Sequence, residues 1–406
     1  MKIAIVGGGA SGLMAAYTAA GCGANVTVYE KNDRVGKKLL STGNGKCNFS
    51  NLEMDETHYY SDNTEFIKTV LSRFGAADTV RFFESAGMLS KDKNGYLYPY
   101  SEQASTVLDI FRILMKERNV RVRTGEMVTE IEGMRDGKIK VCTADGTEIY
   151  DKVILACGGK AAPKTGSDGN GYELLLKLGH TIHKTVPALV QLRVKEDFMK
   201  AISGVRAECK LTLFVDGQKQ TSEQGEIQFT DYGISGIVTF QISRIAAYAL
   251  SENRQVHVFI DFLPNQTPEE LERFIRRKKS HVKKEVTCEE FITGLLNKKL
   301  MMKFLSLINV SQTAKVTVLD EKAIKRLAGI CKEFKLTVRA TNSFEQAQVT
   351  AGGIPLKEVT ENLESRILKN CFITGELLDV DGKCGGYNLQ WAWATGYIAG
   401  KEAANN

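Results

Sequence analysis

The chain has 406 residues, 43% hydrophobic and 25% charged, which is the composition of a water-soluble globular protein and the length of two or three domains. No apolar run reaches the roughly 18 to 20 residues a membrane span needs, and nine cysteines without a C-x-x-C pair argue against a disulfide framework and a zinc site. The formal net charge of +6 is unevenly spread: Arg273 to Lys303 holds ten Lys or Arg against three Glu, and the remainder is close to neutral. The first strand begins at residue 2, which leaves no room for a signal peptide, so a reducing, cytoplasmic setting is expected.

In chain order, Lys2 to Val6 is an apolar run of strand length, followed at once by Gly7-Gly8-Gly9-Ala10-Ser11-Gly12. Leu13 to Ala20 reads as a helix of small and apolar residues, Asn25 to Tyr29 as a second strand, and Glu30 closes it, 18 residues after Gly12. A lone G-x-G-x-x-G is a weak signal; set between strand and helix, with a second strand and an acid behind it, it is strong. Gly7 permits the tight turn, Gly9 lets the backbone approach a pyrophosphate, and Gly12 lets the helix pack close. The helix start, with Ala10 and Ser11, offers N–H groups to the phosphates. Glu30 is placed to accept from a ribose diol.

Lys31 to Leu40 and Ser41 to Asn48 form a second glycine-rich, basic stretch, suited to wrapping phosphates or to a plain surface loop. Glu65 to Gly87 and Ser105 to Arg118 read as helices, with a proline-bearing turn at Leu97 to Ser101 between them. Val120 to Arg123, Met127 to Met134, Lys138 to Thr143 and Thr147 to Tyr150 read as short strands, the last three joined by hairpin turns at Asp136-Gly137 and Asp145-Gly146. Lys152 to Ala156 is a buried strand ending in Cys157-Gly158-Gly159, where ligands bind in open α/β sheets. Gly166 to Gly171 opens the helix Tyr172 to Leu178 but lacks the strand and acid of a second nucleotide site.

From Leu189 the pattern changes. Leu189 to Val194, Glu208 to Asp216, Glu226 to Thr230 and Gln255 to Phe262 read as strands, and Gly236 to Leu250 as a helix. Pro264 to Leu336 is helical and lysine-rich, with Thr caps at Thr267 and Thr287 ahead of paired glutamates. Leu336 to Ala340 returns to strand. Cys371 to Leu377 is a buried strand, Asp379 to Gly382 a turn, and Gly385-Gly386-Tyr387-Asn388 opens a helix running to about Ala404.

An N-terminal dinucleotide cradle together with a strand–glycine–helix unit at the C-terminus favours FAD over NAD. The helix start at Gly386 would offer N–H groups to the flavin N1 and C2 carbonyl, favouring the anionic reduced ring. The cofactor would carry the chemistry, which suits a chain with no nucleophile–base triad or metal cluster and leaves the catalytic residues unassigned.

The chain resembles the bacterial FAD-binding oxidoreductases that include aminoacetone oxidase and the bile-acid-inducible flavoprotein reductases. The resemblance rests on Ile5 to Ala16, Tyr29 to Asn48, Pro187 to Leu192, Phe229 to Gly236, Thr350 to Ile354 and Thr374 to Gly396. It implies an α/β chain with a discontinuous Rossmann-like FAD domain (1–188 and 354–406), an inserted β-rich domain (189–262 and 336–353) and a small helical domain (263–335). By motif, Glu30 and Lys31 would bind the adenosine end and the Val128 backbone the adenine. Lys38, Thr42, Gly43, Asn44 and Asn48 would line the pyrophosphate and flavin. By motif too, Gly375, Glu376, Tyr387, Asn388, Leu389 and Gln390 would hold the ribityl chain and ring; Cys157 and Gly158, by their place just past a strand's end rather than by motif, would border the cofactor. Many members of the family it resembles carry Thr-His-Gly-x-Ser-Gly-Pro where this chain has Thr230-Asp231-Tyr232-Gly233-Ile234-Ser235-Gly236-Ile237, without the His and Pro.

The reading is an FAD oxidoreductase moving hydride to or from a small molecule through a non-covalent flavin, with NAD(P)H as a transient co-substrate. An amine oxidase of the aminoacetone type, using oxygen, is one alternative. A flavoprotein acting on RNA is the other, prompted by the basic segment but disfavoured because Phe274, Phe291 and Phe304 sit at core-like spacings. His180 and His183 read as structural, Cys47 and Cys384 as spectators, and at least one of Trp391 and Trp393 as core. Substrate and oligomeric state are not legible.

Overall fold

Five parallel strands carry the N-terminal motif in the computed structural model, which describes residues 1–405. They are β1 (Lys2–Val6), β2 (Asn25–Glu30), β3 (Arg121–Thr124), β4 (Lys152–Leu155) and β5 (Cys371–Ile373), in the spatial order β5-β4-β1-β2-β3. Every neighbouring pair is parallel. A parallel sheet is covered on both faces, so its strands read as continuous apolar runs; Ile3, Ala4, Ile5, Val153, Ile154 and Leu155 are all fully buried. The edge strand β3 departs from this, with Arg121 and Val122 exposed. That β5 arrives from the far end of the chain makes the sheet discontinuous in sequence.

Helix α1 (Ala10–Gly21) follows β1, and α2 (Tyr387–Asn405) closes the described chain against it. The contact is close because small residues line it. A Cβ on Gly396 would stand 2.3 Å from the Ser11 carbonyl oxygen, and one on Gly400 2.5 Å from that of Ala15. Both tryptophans of α2 are buried, against different neighbours: Trp391 Nε1 donates to Gly375 O at 3.1 Å and Trp393 Nε1 to Phe49 O at 2.9 Å.

Two expectations in this region are corrected. The single helix read over Glu65 to Gly87 is two, Thr64–Arg73 and Ala76–Ser85, because Gly75 starts a new one with its N–H on Asp78 Oδ2 at 2.9 Å. The turn read at Leu97 to Ser101 is largely a strand, Tyr96–Pro99, paired with Ser50–Asn51 and Ser90–Lys93. Pro99 is tolerated there because beyond Leu97 the strand is paired on one side only, as at a sheet edge.

The chain divides into two compact units, Met1–Pro187 with the residues from Phe344 onward, and Ala188–Ser343. In the second unit six strands close a barrel, in the order Leu192–Val194, Gly233–Ser235, Gln218–Phe229, Arg206–Val215, Val256–Asp261, Phe334–Thr341, with every pairing antiparallel. The third strand begins at Gln218 rather than Glu226, and Gly233–Ser235 was not foreseen. Gln218 to Glu226 is polar and mostly solvent-facing, so no apolar alternation marks it. Helix Ile237–Ser251 packs on the barrel. The capped helices Pro268–Ser280 and Cys288–Ile292 start at Thr267 and Thr287, each in a reciprocal bond pattern with a glutamate three residues on.

The sequence reading draws the helices of 263–335 as a separate domain. Packing joins them to the barrel: Leu271, Ile275, Phe291 and Phe304 share one apolar cluster with Phe229, Phe262 and Phe334. Residues 344–353, read as β-rich domain, fall in the first unit.

Candidate functional site

The three motif glycines are under different constraints. Gly7 has φ 108°, and a Cβ there would lie 2.4 Å from Ala156 O. A Cβ on Gly12 would lie 2.0 Å from Gly7 O. Gly9 is the opposite case: a Cβ there would meet no atom within 4 Å. The space over Gly9 is therefore open, and it lies at the start of α1. No side chain caps this helix, so the N–H groups of Ala10, Ser11 and Gly12 have no partner within it and its end is partially positive. An open cradle lined with backbone donors fits a pyrophosphate.

Glu30 is built into the same turn. Its Oε2 accepts from Gly8 N at 3.0 Å, and its Oε1 from Asn32 N at 2.9 Å and Asn32 Nδ2 at 2.8 Å. A carboxylate has about four lone-pair sites, so acceptor capacity remains for a diol. Gly125 N donates to Asn32 O at 2.7 Å and Glu126 N to Glu30 O at 3.1 Å, which brings the strand start at Val128 to this edge. Lys31 Nζ reaches Asp168 Oδ1 at 2.5 Å and Asn170 Oδ1 at 3.3 Å. The loop Gly166 to Gly171 is thus pinned to the first cradle.

A second group of loops gathers past the ends of β4 and β5. Lys38 Nζ lies 2.8 Å from Glu376 Oε2, while Glu376 Oε1 accepts from Thr350 N at 2.5 Å. Thr350 Oγ1 in turn accepts from Lys160 N at 2.7 Å and Ala161 N at 3.0 Å. The Glu376 carboxylate and the Thr350 hydroxyl together therefore tie four separate stretches of chain. The roles of Thr350 and Lys160 were missed from sequence, although Thr350 opens one of the motifs already noted. Gly158 has φ 73° and faces Ser167 Oγ, which is buried without a hydrogen-bond partner. Burial pushes the Cys157 thiol up to about 12. Gly375, at φ 64°, faces Ser11 of α1 and donates its N–H to Thr395 Oγ1 at 3.0 Å.

The loop Thr42-Gly43-Asn44 is curled on itself. Gly43 and Asn44 both have φ 56°, Thr42 Oγ1 donates to Leu39 O at 2.6 Å, and Cys47 N returns to Thr42 O at 3.0 Å. Oriented to its acceptors, the Asn48 amide nitrogen donates to Ser50 O at 2.8 Å and Leu97 O at 3.0 Å. A Cβ on Gly386 would stand 2.4 Å from the same Ser50 oxygen, so these two loops touch.

At the start of α2, Tyr387 stacks on His58 with ring centroids 4.5 Å apart, and burial pushes its hydroxyl up to about 12. Leu389 is half-buried. Asn388 exchanges two 2.8 Å hydrogen bonds with the Gly382 backbone. Gln390 is fully buried: its Oε1 accepts from Ser50 Oγ at 2.7 Å and Thr79 Oγ1 at 2.9 Å, and its Nε2 donates to Phe74 O at 3.0 Å. The side-chain amides of Asn48, Asn388 and Gln390 thus make hydrogen bonds within the protein. In the other unit, Arg193 lies 4.7 Å over the Tyr232 ring, and Asn342 bonds both residues, so Tyr232 of the departing loop joins a polar cluster with Arg193 and Asn342.

The class of protein these features define is the FAD-binding oxidoreductase with a Rossmann-type domain. The chain belongs to the HI0933-like family, whose model, described as the HI0933-like protein Rossmann domain, matches residues 1–402. It is 43% identical to the 3-dehydro-bile acid delta(4,6)-reductase of Clostridium scindens, over 99% of both chains. It is 29% identical to the ribosomal RNA dihydrouridine synthase of Haemophilus influenzae, over 97% of this chain and 96% of that one. Among solved structures, 3-ketosteroid-delta4-(5alpha)-dehydrogenase from Rhodococcus jostii shares the fold with a TM-score of 0.54 at 14% identity, covering 100% of this chain and 96% of that one. Among the described residues, no helix is long and apolar enough to cross a membrane.

Proposed function

We propose that the chain reduces a carbon–carbon double bond conjugated with a carbonyl in a small, steroid-like molecule, through non-covalent FAD, with NADH or NADPH as electron donor. The observation that carries this reading is the 43% identity, over nearly the full length of both chains, to a reductase whose name specifies a 3-oxo group and double bonds at carbons 4 and 6.

When bound, FAD would supply the hydride. The chain's own part is to hold and orient. The amides of Ala10, Ser11 and Gly12 would take the pyrophosphate, Glu30 and Lys31 the adenosine side, and the Lys38–Glu376 pair with Gly375 the ribityl side. The start of α2 at Gly386 and Tyr387 would present its positive end to the ring. Only one complete dinucleotide fingerprint is present, so a nicotinamide would come and go with modest affinity.

Reduction of a uracil ring in RNA is the second reading. It is the same bond chemistry, it fits the relative at 29% identity, and the basic segment favours it. Part of that charge is spent internally, however. Arg276 pairs with Glu272 and Glu321 at 2.8 Å each, Lys298 with Glu289 at 2.7 Å, and Lys279 Nζ donates to Leu319 O at 2.6 Å.

The test is turnover of NADH or NADPH with a Δ4-3-oxo steroid and, separately, with a uridine-containing ribosomal RNA fragment. A steroid product heavier by one H2 supports the proposal. Dihydrouridine without steroid turnover replaces it with the RNA reading, and peroxide from aminoacetone without nicotinamide use replaces it with the amine oxidase.

A further inference from the structure

Reducing a conjugated double bond takes a proton as well as a hydride, and none of the groups above is assigned to give it. The two histidines near the end of helix Asn170–Lys177 differ in this respect. His180 has both ring nitrogens occupied, Nδ1 by Glu358 Oε2 at 2.7 Å and Nε2 by Ser365 Oγ at 2.8 Å, and its side chain is fully buried. His183 has Nδ1 bonded to Asp379 Oδ2 at 2.6 Å, and its ring is 44% exposed. Asp379 is buried, and its second oxygen, Oδ1, has no hydrogen-bond partner. A half-satisfied carboxylate held inside a protein is costly unless something else uses it.

The pair sits among the loops described above. His183 N donates to Gly353 O at 2.8 Å, and Asp379 N to Ile354 O at 2.8 Å. A Cβ on Gly353 would lie 2.7 Å from Leu377 O and 3.1 Å from Asp379 N. Thr350, on the same stretch, bonds Glu376. Along the chain, Asp379 lies between Gly375–Leu377 and the α2 start at Gly386 and Tyr387, the two segments assigned to the flavin half of the cofactor.

We propose that His183 is the general acid of the reaction and Asp379 its positioning residue. The inference rests on the conjugated-reductase reading. Hydride adds to the carbon β to the carbonyl, and the π electrons of the double bond move onto the carbonyl oxygen as an enolate. The Nε2–H of the His183 imidazolium then protonates the α carbon and the ketone re-forms. Substrate has gained H2, and neutral His183 takes its next proton from water through its exposed face. Asp379 accepts from Nδ1–H, which fixes the ring so that Nε2 carries the proton to be given.

The test compares wild type, His183→Gln and Asp379→Asn. Each is reduced under nitrogen and mixed with a Δ4-3-oxo steroid in D2O, with flavin absorbance and product deuterium followed. The wild type should reoxidise and place solvent deuterium on the α carbon. His183→Gln should bind FAD normally and accept electrons from NAD(P)H at the wild-type rate, yet reoxidise about 100-fold more slowly, the usual range for a lost general acid. In the apoprotein, 15N signals of His183 should report a proton on Nδ1, and this signature should weaken in Asp379→Asn. His183→Gln reoxidising at the wild-type rate, losing FAD, or an apoprotein signature unchanged in Asp379→Asn would overturn the assignment. A wild type that no enone reoxidises would instead bring down the reductase reading, and the dyad's role with it.

Discussion

At the scale of single residues, the glycines separate folding from binding. Gly9→Val places its side chain in open space, so the variant should fold with near wild-type stability but purify colourless and stay so after FAD is added. Gly12→Ala drives a Cβ toward the Gly7 carbonyl oxygen, and overpacking of that kind costs about 1 to 3 kcal/mol; its chemical denaturation midpoint should fall. Burial pushes the thiols of Cys47, Cys157 and Cys384 up to about 12. These pKa values lie above the working pH, so at pH 8 all three are protonated and unreactive. Iodoacetamide should label the exposed Cys22 and spare them, as mass mapping of the native protein would show; labelling of Cys47 and Cys384 would revive a redox pair. Glu30 could be picked out from sequence because it closes the strand–glycine–helix–strand unit, whereas Lys38 and Glu376 came forward only through the family resemblance. The fate of Gln390 could not be picked out. Whether an amide at a helix start faces a ligand or the core depends on Ser50, Thr79 and Phe74, all remote in sequence.

At the scale of elements, the parallel sheet was legible because its strands are uninterrupted apolar runs, and the capped helices because Thr267 and Thr287 precede their glutamates. Elements without apolar periodicity were not. Gln218 to Glu226 is held in its strand by backbone pairing with Arg206–Val215 rather than by burial. The break at Gly75 reflects a local N–H bond to Asp78, which hydrophobic spacing does not register. The α1–α2 contact gives a paired prediction. Gly400→Leu meets the Ala15 backbone and should destabilise by about 1 to 3 kcal/mol. Gly329→Ala, inside helix Glu321–Lys332 with nothing within 4 Å of the new Cβ, should stabilise by about 0.4 to 1 kcal/mol. Urea denaturation of both variants checks the signs.

At the scale of the whole molecule, composition already separated the basic segment from a near-neutral remainder, but not which of its charges are spent on internal pairs. Lys283 and Lys284 are exposed. Reversing both to Glu should leave steroid reduction unchanged, whereas a protein that works on RNA would lose salt-sensitive affinity for it. The three-domain reading followed the switch from strand to helix patterning, which says nothing of whether two patterns share a core; Phe262, Phe304 and Phe334 show that they do. The central claim is that a nicotinamide feeds the flavin and a conjugated carbonyl compound empties it. Oxidised holoenzyme should therefore be mixed under nitrogen with NADH or NADPH, and afterwards with a Δ4-3-oxo steroid. The account predicts that the flavin bleaches on the first addition and regains its colour on the second. Bleaching by aminoacetone, with none by either nicotinamide, would contradict it.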